Sequence, residues 1–252
     1  MKIRGADGPA VLLLHGLTGS AASWGRVADS LGTPCRLLIP DLLGFGASPK
    51  PHGAYDLEAH CDALADIVST HRPALVAGHS MGAVIALGLL TRYPELSGAV
   101  LVSPAVFESR AQARATMEEA PLLQRASVRS PRLAQALCMV SCTLRPLLRP
   151  FAPLAARDLP AAVARAGLDH TWESYSKSLD RVVLSGLVPG LLERVPQPVT
   201  VVHGRADRTV PLRLIQEIEP LVQRLTVIAG DHEALLKNPA PVAAAIEQAL
   251  AR

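Results

Sequence analysis

The sequence has 252 residues, 49% of them hydrophobic and 19% charged, which predicts a globular protein with a large core. Aromatic residues make up only 3% and the net charge is +3, so the composition argues against a surface that stacks on or neutralises nucleic acid. No apolar run approaches the roughly 18–20 residues that a membrane-spanning helix needs.

The first part of the chain alternates short apolar runs with longer stretches of helical pattern. The runs lack polar alternation, which is typical of parallel strands that are covered on both faces. Strands are predicted at 10–14, 35–39, 74–78 and 98–103, and helices at 22–31, 56–71 and 81–92. This alternation predicts an α/β protein with a mostly parallel sheet, flanking helices and right-handed crossovers.

The pattern changes after Pro104. Residues 105–190 contain no convincing strand and several predicted helices separated by prolines. Strands are predicted again at 198–203 and 225–229, and a last helix at 239–251. We therefore predict one α/β core formed by residues 1–104 and 191–252, with residues 105–190 inserted as a helical cap, or lid.

The segment Gly78-His-Ser-Met-Gly82 fits the pattern G-x-S-x-G and lies between a predicted strand and a predicted helix. This is the context of a nucleophile elbow, a sharp turn that presents a serine hydroxyl at the end of a sheet. An ordinary glycine-rich turn is the alternative. The strand–turn–helix context favours Ser80 as a catalytic nucleophile.

A serine hydroxyl is a weak nucleophile and needs a base, which in turn is oriented by an acid. With a nucleophile elbow, the acid and the base follow the serine in that order along the chain. Asp207 follows the predicted strand that ends at His203, and His232 follows the strand that ends at Ala229. We predict Asp207 as the acid and His232 as the base, against the alternatives of a turn aspartate and a surface histidine.

Three other residues were weighed for these roles. His203 lies at a strand end but only four residues before the aspartate. His79 flanks the nucleophile, so we expect it to shape the turn. Glu108 is the nearest carboxylate after the strand 98–103, and it falls within the predicted cap. Because His203 and His79 precede Asp207 in the chain and Glu108 lies in the predicted cap, Asp207 and His232 have little competition.

The oxyanion of an acyl-transfer intermediate needs two N–H donors. The segment His15-Gly16-Leu17 directly follows the strand 10–14, and Met81 directly follows Ser80. We predict that the backbone N–H groups of Leu17 and Met81 form the oxyanion hole. A plain strand-ending turn is the alternative for the first of these.

Together these residues resemble the α/β-hydrolase superfamily. The matching segments, in chain order, are His15-Gly16, Asp41-Leu-Leu-Gly-Phe-Gly-Ala-Ser48, Gly78-His-Ser-Met-Gly82, Gly204…Asp207…Pro211 and Gly230-Asp-His232. The resemblance implies a serine esterase that cleaves a carboxylic ester of a small or medium acyl substrate through an acyl-enzyme. It leaves open a thioesterase, a hydrolase of carrier-protein-linked esters, a lactonase, a carbon–carbon hydrolase and a non-catalytic ligand receptor.

The chain also departs from the family pattern. Fewer than ten residues precede the strand 10–14, so we expect the first antiparallel hairpin of the family to be truncated or absent. A serine at position 80 argues against haloalkane dehalogenases and epoxide hydrolases, which use aspartate there. The predicted cap looks like the small helical caps of bacterial carboxylesterases and pimeloyl-carrier-protein methyl esterases.

The predicted cap holds the positive charge of the protein. Residues 105–190 contain eleven Lys/Arg and seven Asp/Glu, whereas the remainder contains fourteen and fifteen. Arginines recur there at helical spacing, at Arg110/Arg114, Arg125/Arg129/Arg132 and Arg145/Arg149. A solvated cap is one interpretation, and recognition of an anionic carrier protein or acyl-CoA is the other. Phe151, Trp172, Tyr175 and the leucines of this segment are expected to pack or to line an acyl pocket.

The cysteines are Cys35, Cys61, Cys138 and Cys142, whose spacing predicts no disulfide scaffold. The last two can share a helix face, but no further ligand cluster accompanies them, which favours packed thiols over a metal or redox site. We expect no cofactor and no metal. The apolar run 11–14 is too short for a signal peptide, so we expect a cytoplasmic protein.

Overall fold

The computed structural model describes residues 1–119 and 129–252, so Arg125 lies outside the described residues. The strands are β1 (Lys2–Arg4), β2 (Ala10–Leu14), β3 (Arg36–Ile39), β4 (Leu75–His79), β5 (Gly98–Val102), β6 (Val199–Gly204) and β7 (Arg224–Ile228). They form a seven-stranded sheet in the order β1-β3-β2-β4-β5-β6-β7. Only the β1–β3 pair is antiparallel, and the other neighbours are parallel.

Helices connect the strands. They are α1 (Gly25–Ser30), α2 (Leu57–Asp62), α3 (Ala65–His71), α4 (Met81–Arg92), α5 (Arg110–Glu119), α6 (Pro131–Thr143), α7 (Arg145–Leu148), α8 (Ala152–Ala155), α9 (Ala161–Ala166), α10 (Trp172–Ser178), α11 (Val188–Leu192), α12 (Leu212–Glu217), α13 (Ala234–Lys237) and α14 (Pro239–Leu250). Short 3-10 turns lie at Ala21–Trp24 and Glu219–Leu221, and a π-helical turn lies at Leu179–Val183.

The predicted fold class and strands are confirmed. Each predicted strand is present, with ends that differ by at most one residue from those observed. The predicted helix 56–71 is instead two helices, because the chain turns at residues 63–64 between α2 and α3. The exposed strand β1 was not predicted, and it is a single short strand where the family pattern has a hairpin.

The sheet is buried on both faces. Alternate residues of a strand point to opposite sides, and in β2 Leu12 packs into the cluster that contains α4, whereas Leu13 packs into the cluster that contains α14. Ten of the twelve residues of α4 are buried, so this helix is apolar all round. Because β2, β4, β5, β6 and β7 are mutually parallel, their carboxyl ends meet at one edge, where open α/β sheets place their sites.

Between β5 and β6 the chain is helical, and we call residues 105–190 the helical block. Its described residues form α5 to α10 and the first residues of α11, with only an isolated β-bridge between His170 and Phe45. The division of the chain into core and cap stays a prediction. Among the described residues, no helix is both long enough and apolar enough to cross a membrane.

Candidate active site

Ser80 lies in the sharp turn between β4 and α4. Its φ of 52° and ψ of −112° are strained for a residue with a side chain. Its backbone N–H donates to the carbonyl oxygen of Val102 in the neighbouring strand β5, at 3.0 Å. This anchor and the strained backbone hold Ser80 at the carboxyl edge of the sheet, as expected of a nucleophile elbow.

The two glycines of the motif are required by close packing. A Cβ atom on Gly78 would lie 2.2 Å from the carbonyl oxygen of Gly82. A Cβ atom on Gly82 would lie 2.4 Å from the carbonyl oxygen of Leu14 in β2. Any side chain at these positions would push α4 away from the sheet and move Ser80 with it.

The structure brings Ser80, His232 and Asp207 together. The Ser80 Oγ atom lies 2.9 Å from His232 Nε2, and His232 Nδ1 lies 2.8 Å from Asp207 Oδ2. An ionised carboxylate can only accept a hydrogen bond, so Nδ1 carries the proton and donates it. Nε2 is then unprotonated and accepts the Ser80 hydroxyl, and the three predicted residues form one hydrogen-bonded chain.

Asp207 is fully buried at its side chain and held from two sides. Its Oδ1 atom accepts the backbone N–H groups of Thr209 and Val210, at 2.8 and 2.9 Å. Burial alone would raise the pKa of Asp207, but the hydrogen bond and charge of His232 lower that pKa below its usual value. The competing carboxylate Glu108 is exposed and has no part in this network.

The same pair sets the basicity of His232. Burial lowers the pKa of His232, but the hydrogen bond and the charge of Asp207 outweigh it and leave the pKa above its ordinary value. A raised pKa means that the imidazole takes up a proton more readily than a free histidine does. That is the property a general base needs when a serine hydroxyl is deprotonated.

Two further histidines hold this network in place. His79 Nε2 donates to the carbonyl oxygen of His232 at 2.9 Å, so it contacts the loop of the base, while its role in shaping the turn stays a prediction. His203 Nε2 donates to the carbonyl oxygen of Val210 at 3.0 Å and lies 3.6 Å from Asp207 Oδ2. The contact of His203 with Asp207 was not predicted from the sequence. The available signal was its spacing of four residues from an aspartate in a short loop after a strand.

Leu17 and Met81 are the two residues predicted to donate to the oxyanion. Met81 begins α4, where backbone N–H groups have no acceptor within the helix. Leu17 lies in the turn after β2 and lines the same cavity as Ser80. The structure therefore places Met81 beside the serine and Leu17 in the wall of the same cavity, and their role as oxyanion donors stays a prediction.

His15 fixes the turn that carries Leu17. Its Nδ1 donates to the carbonyl oxygen of Gly16, and its Nε2 accepts the backbone N–H of Leu42, both at 2.8 Å. Burial lowers the pKa of His15 to about 4, so the ring stays neutral near pH 7 and can make both bonds. The neutral ring thereby ties this turn to the loop after β3.

Ser80 and His232 open into a cavity of about 380 Å³. Its walls are mostly apolar, and the helical block contributes Met117, Ala156, Leu159, Val163, Tyr175 and Leu179. Tyr175 therefore lines the cavity, and whether this cavity binds an acyl group stays a prediction. Phe151 does not, because its side chain is 62% exposed.

Cys138 and Cys142 face His170 rather than the cavity. Their sulfur atoms lie 3.9 Å apart, and the sulfur of Cys138 lies 3.6 Å from His170 Nε2. Burial lowers the pKa of His170 to about 4 and raises that of Cys138 to about 12. Among the described residues, no group of three or more His, Cys, Asp or Glu is arranged to hold a metal ion.

Several known proteins are similar to this chain. Magnesium-chelatase 30 kDa subunit of Rhodobacter capsulatus is 31% identical over 250 residues, which cover 90% of this chain and 81% of that protein. Lipase 1 of Psychrobacter immobilis is 27% identical over 88% of this chain and 69% of its own length. An uncharacterized protein of Mycobacterium bovis is 27% identical over 82% of this chain, and the match spans only 64% of that relative.

Among solved structures, a thermophilic esterase from Thermogutta terrifontis is similar in fold, with a TM-score of 0.72 and 21% sequence identity. The match covers 99% of this chain and 92% of the esterase. The sequence model of the alpha/beta hydrolase family matches residues 11–245, which is most of the chain. This protein therefore belongs to the alpha/beta hydrolase family.

Proposed function

We propose that this protein is a serine hydrolase that cleaves a carboxylic ester of a small or medium acyl group. The observation that carries the proposal is the hydrogen-bonded chain from Ser80 through His232 to Asp207, which opens into an apolar cavity. The chain is similar to a protein named as a lipase and, in fold, to a solved structure described as an esterase, and both similarities support the same reaction class.

In the first half of the reaction, the Ser80 oxygen attacks the ester carbonyl while His232 Nε2 accepts the hydroxyl proton. The carbonyl oxygen becomes an oxyanion. When the tetrahedral intermediate collapses, the bond to the leaving oxygen breaks and His232 returns its proton to that oxygen. The alcohol leaves and the acyl group stays on Ser80 as an ester.

In the second half, water takes the place of the alcohol. His232 accepts a proton from this water as its oxygen attacks the acyl carbonyl. The bond to Ser80 then breaks, and His232 gives the proton back to the serine oxygen. The products are a carboxylic acid and the free enzyme.

Three other residues have supporting roles in this proposal. Asp207 keeps the His232 imidazole in the tautomer with an unprotonated Nε2 and stabilises the ring when it becomes charged. The backbone N–H groups of Leu17 and Met81 stabilise the oxyanion. The cavity of about 380 Å³ lies at the small end of ligand pockets, which supports a small or medium acyl group.

A fluorophosphonate probe tests the nucleophile. It should label the wild-type protein, as seen by intact mass, and it should not label Ser80→Ala. Ser103→Ala is a matched control, because Ser103 is also a buried strand-end serine with a positive φ, here 43°. Ser103→Ala should label like the wild type. Labelling that persists in Ser80→Ala would refute the assignment.

A panel of p-nitrophenyl esters of increasing chain length, with acyl thioesters and lactones added, tests the reaction class. We expect short and medium esters to be preferred, and Ser80→Ala to lose turnover by at least about 10⁴-fold. If thioesters or lactones are preferred, the protein is a thioesterase or a lactonase instead of a carboxylic ester hydrolase.

One observation favours a second candidate. The relative from Rhodobacter capsulatus is named as a magnesium-chelatase subunit, and this chain covers 81% of it. A role as a subunit of such an assembly would need no hydrolysis. The two candidates separate in the same assays, because a subunit without hydrolytic activity should turn over none of the panel.

A further inference from the structure

Helix α6 packs against the protein through small side chains and exposes its large apolar side chains to solvent. Cys138 and Cys142 face inward, where the sulfur of Cys142 donates to the carbonyl oxygen of His170 at 3.2 Å. Leu137 and Val140 point to solvent, with 58% and 55% of their surfaces exposed. The hydrophobic effect normally produces the reverse arrangement.

The outward side chains continue beyond α6 as a regular series. Its members are separated by alternate steps of four and three residues, the spacing that places side chains on one face of a helix, and the first three of them lie on α6. We call this series the apolar stripe; it consists of Leu133, Leu137, Val140, Leu144, Leu147, Phe151 and Leu154. All seven are exposed, by between 41% and 68%.

Most of the exposed large hydrophobic side chains of the described residues lie in or beside the apolar stripe. Among the described residues, thirteen large hydrophobic side chains are exposed, and nine of them lie between positions 133 and 154. Single exposed apolar side chains are ordinary, but a continuous group of them marks a surface that binds something.

The charged residues of the segment that carries the apolar stripe are all basic. Between positions 120 and 157 the sequence has six arginines and no acidic residue. Arg132, Arg149 and Arg157 are exposed, and their long side chains can reach past the apolar face. Arg149 has one carboxylate nearby, that of Asp169 at 3.4 Å. The occupant of this surface must therefore offer both hydrocarbon and negative charge.

A second copy of the chain does not meet this requirement. Steps of four and three residues also occur in coiled coils, but a coiled coil needs continuous helices. Here α6 ends at Thr143, α7 at Leu148, and prolines follow at 150 and 153. Self-association through the stripe would also place arginines against arginines, with no carboxylate between positions 120 and 157 to pair with them.

We propose that the apolar stripe and its arginines dock this protein onto the surface of an anionic lipid bilayer. Short helices with Leu and Phe on one face and arginines beside them lie in the plane of a membrane interface, with the apolar side chains among the acyl chains. The arginines then meet the anionic headgroups. An acidic carrier protein would supply the charge, but it would leave much of the seven-residue stripe without hydrocarbon contact.

The docking surface is continuous with the cavity. The chain passes from Leu154, the last member of the apolar stripe, to Ala156, which lines the cavity. A bilayer bound at the stripe would therefore lie next to the entrance to Ser80. The substrate class that follows is an ester dissolved in the bilayer, and this part of the inference rests on the proposed function.

The experiment measures flotation of the purified full chain with vesicles. One set contains phosphatidylcholine only, and the other contains phosphatidylcholine mixed with phosphatidylglycerol. We expect binding to the mixed vesicles to be at least about tenfold stronger than to the neutral ones, and to weaken with salt. The variant Leu137→Asn/Leu147→Asn/Phe151→Asn should lose binding by about tenfold or more.

Matched variants keep this test specific. Ile3→Asn/Leu221→Asn also removes exposed apolar side chains, but away from the stripe, and it should bind like the wild type. Arg132→Gln/Arg149→Gln should lose the preference for anionic vesicles and keep the same melting temperature. The stripe variant should still react with a fluorophosphonate, and Ser80→Ala should still float. Membrane docking and catalysis can thus fail independently.

Three results would overturn the proposal. The first is absence of flotation with either set of vesicles. The second is a dimer in sedimentation that the stripe variant abolishes, which would assign the surface to self-association. The third is saturable binding of an acidic acyl carrier protein, lost in the stripe variant, without any binding of vesicles.

Discussion

The cavity is bounded by two regions that are built differently. At the strand ends, Ser80 and Asp207 are buried, and their backbone and side-chain polar atoms are hydrogen-bonded to neighbouring strands or loops. In the helical block, α6 contacts the rest of the protein mainly through small side chains and exposes its large ones. The first region is held by close packing and hydrogen bonds, which keep the side chains of Ser80, His232 and Asp207 within hydrogen-bond distance of one another. The outer face of α6 is exposed, and we expect substitutions there to change what the protein binds rather than how stably it folds.

The largest expected effect belongs to the strand-end region. Asp207→Asn should lower kcat by about 10³–10⁴-fold, because an amide can donate to His232 Nδ1 and leave Nε2 protonated and unable to accept the Ser80 proton. Steady-state kinetics on the best p-nitrophenyl ester measures the loss. A loss smaller than tenfold would mean that Asp207 does not orient the base.

The pH profile of the wild type gives a second readout of the same pair. The reaction needs neutral His232, so kcat/KM should fall as the pH falls through its pKa, which Asp207 raises. Without the carboxylate this acid limb should move to lower pH. A residual activity of Asp207→Asn with an unshifted limb would assign the titration to another group.

The strand-end region was also the more predictable one. Ser80, His232 and Asp207 follow from a short motif, a fixed chain order and the carboxyl ends of three strands, all of which are local or topological features. The close approach of His203 to Asp207 was not predicted, because its spacing of four residues is a weak signal by itself and the contact depends on how the loop 204–210 folds back. Strand β1 was not predicted because it is short, mostly polar and exposed. It is recognised as a strand by its pairing with β3, which the local sequence does not reveal.

The helical block was predictable in its secondary structure and not in its surface. The steps of four and three residues in the apolar stripe predict a helical face that is covered, and the sequence therefore favours packing or an acyl pocket for its leucines and Phe151. The structure corrects that expectation. A periodic pattern of apolar residues shows which side chains share a helix face. It does not show whether that face packs against the same chain or against another molecule.

His60 offers a test at the contact between the two regions. It lies on α2, and its Nε2 atom is 3.0 Å from Ser178 Oγ on α10. Burial lowers the pKa of His60 to about 4, and its Nδ1 has no hydrogen-bond partner among the described residues. Because the unfolded chain takes up the proton first, this histidine should cost stability as the pH falls from about 6.5 to about 4.

The expected size of that cost is about 3 kcal/mol at pH 4 for this one group. Urea unfolding at several pH values measures it. In His60→Gln the decline in the free energy of unfolding over this range should be smaller by about that amount. His71→Gln, on the partly exposed last turn of α3, is the control and should follow the wild-type curve. Identical curves for all three proteins would show that His60 is not held neutral by burial.

The smallest expected effect is the most direct test of the difference between the two regions. Leu137→Ala should change the free energy of unfolding by at most about 0.5 kcal/mol, because 58% of the surface of Leu137 is already exposed to water. The same substitution at Leu12, fully buried in β2, should cost about 2–5 kcal/mol through lost burial and the cavity left behind. Urea unfolding of both variants gives the two values. A large loss of stability in Leu137→Ala would mean that this side chain packs against other residues of the same chain. The surface that we assign to an anionic bilayer would then be part of the core.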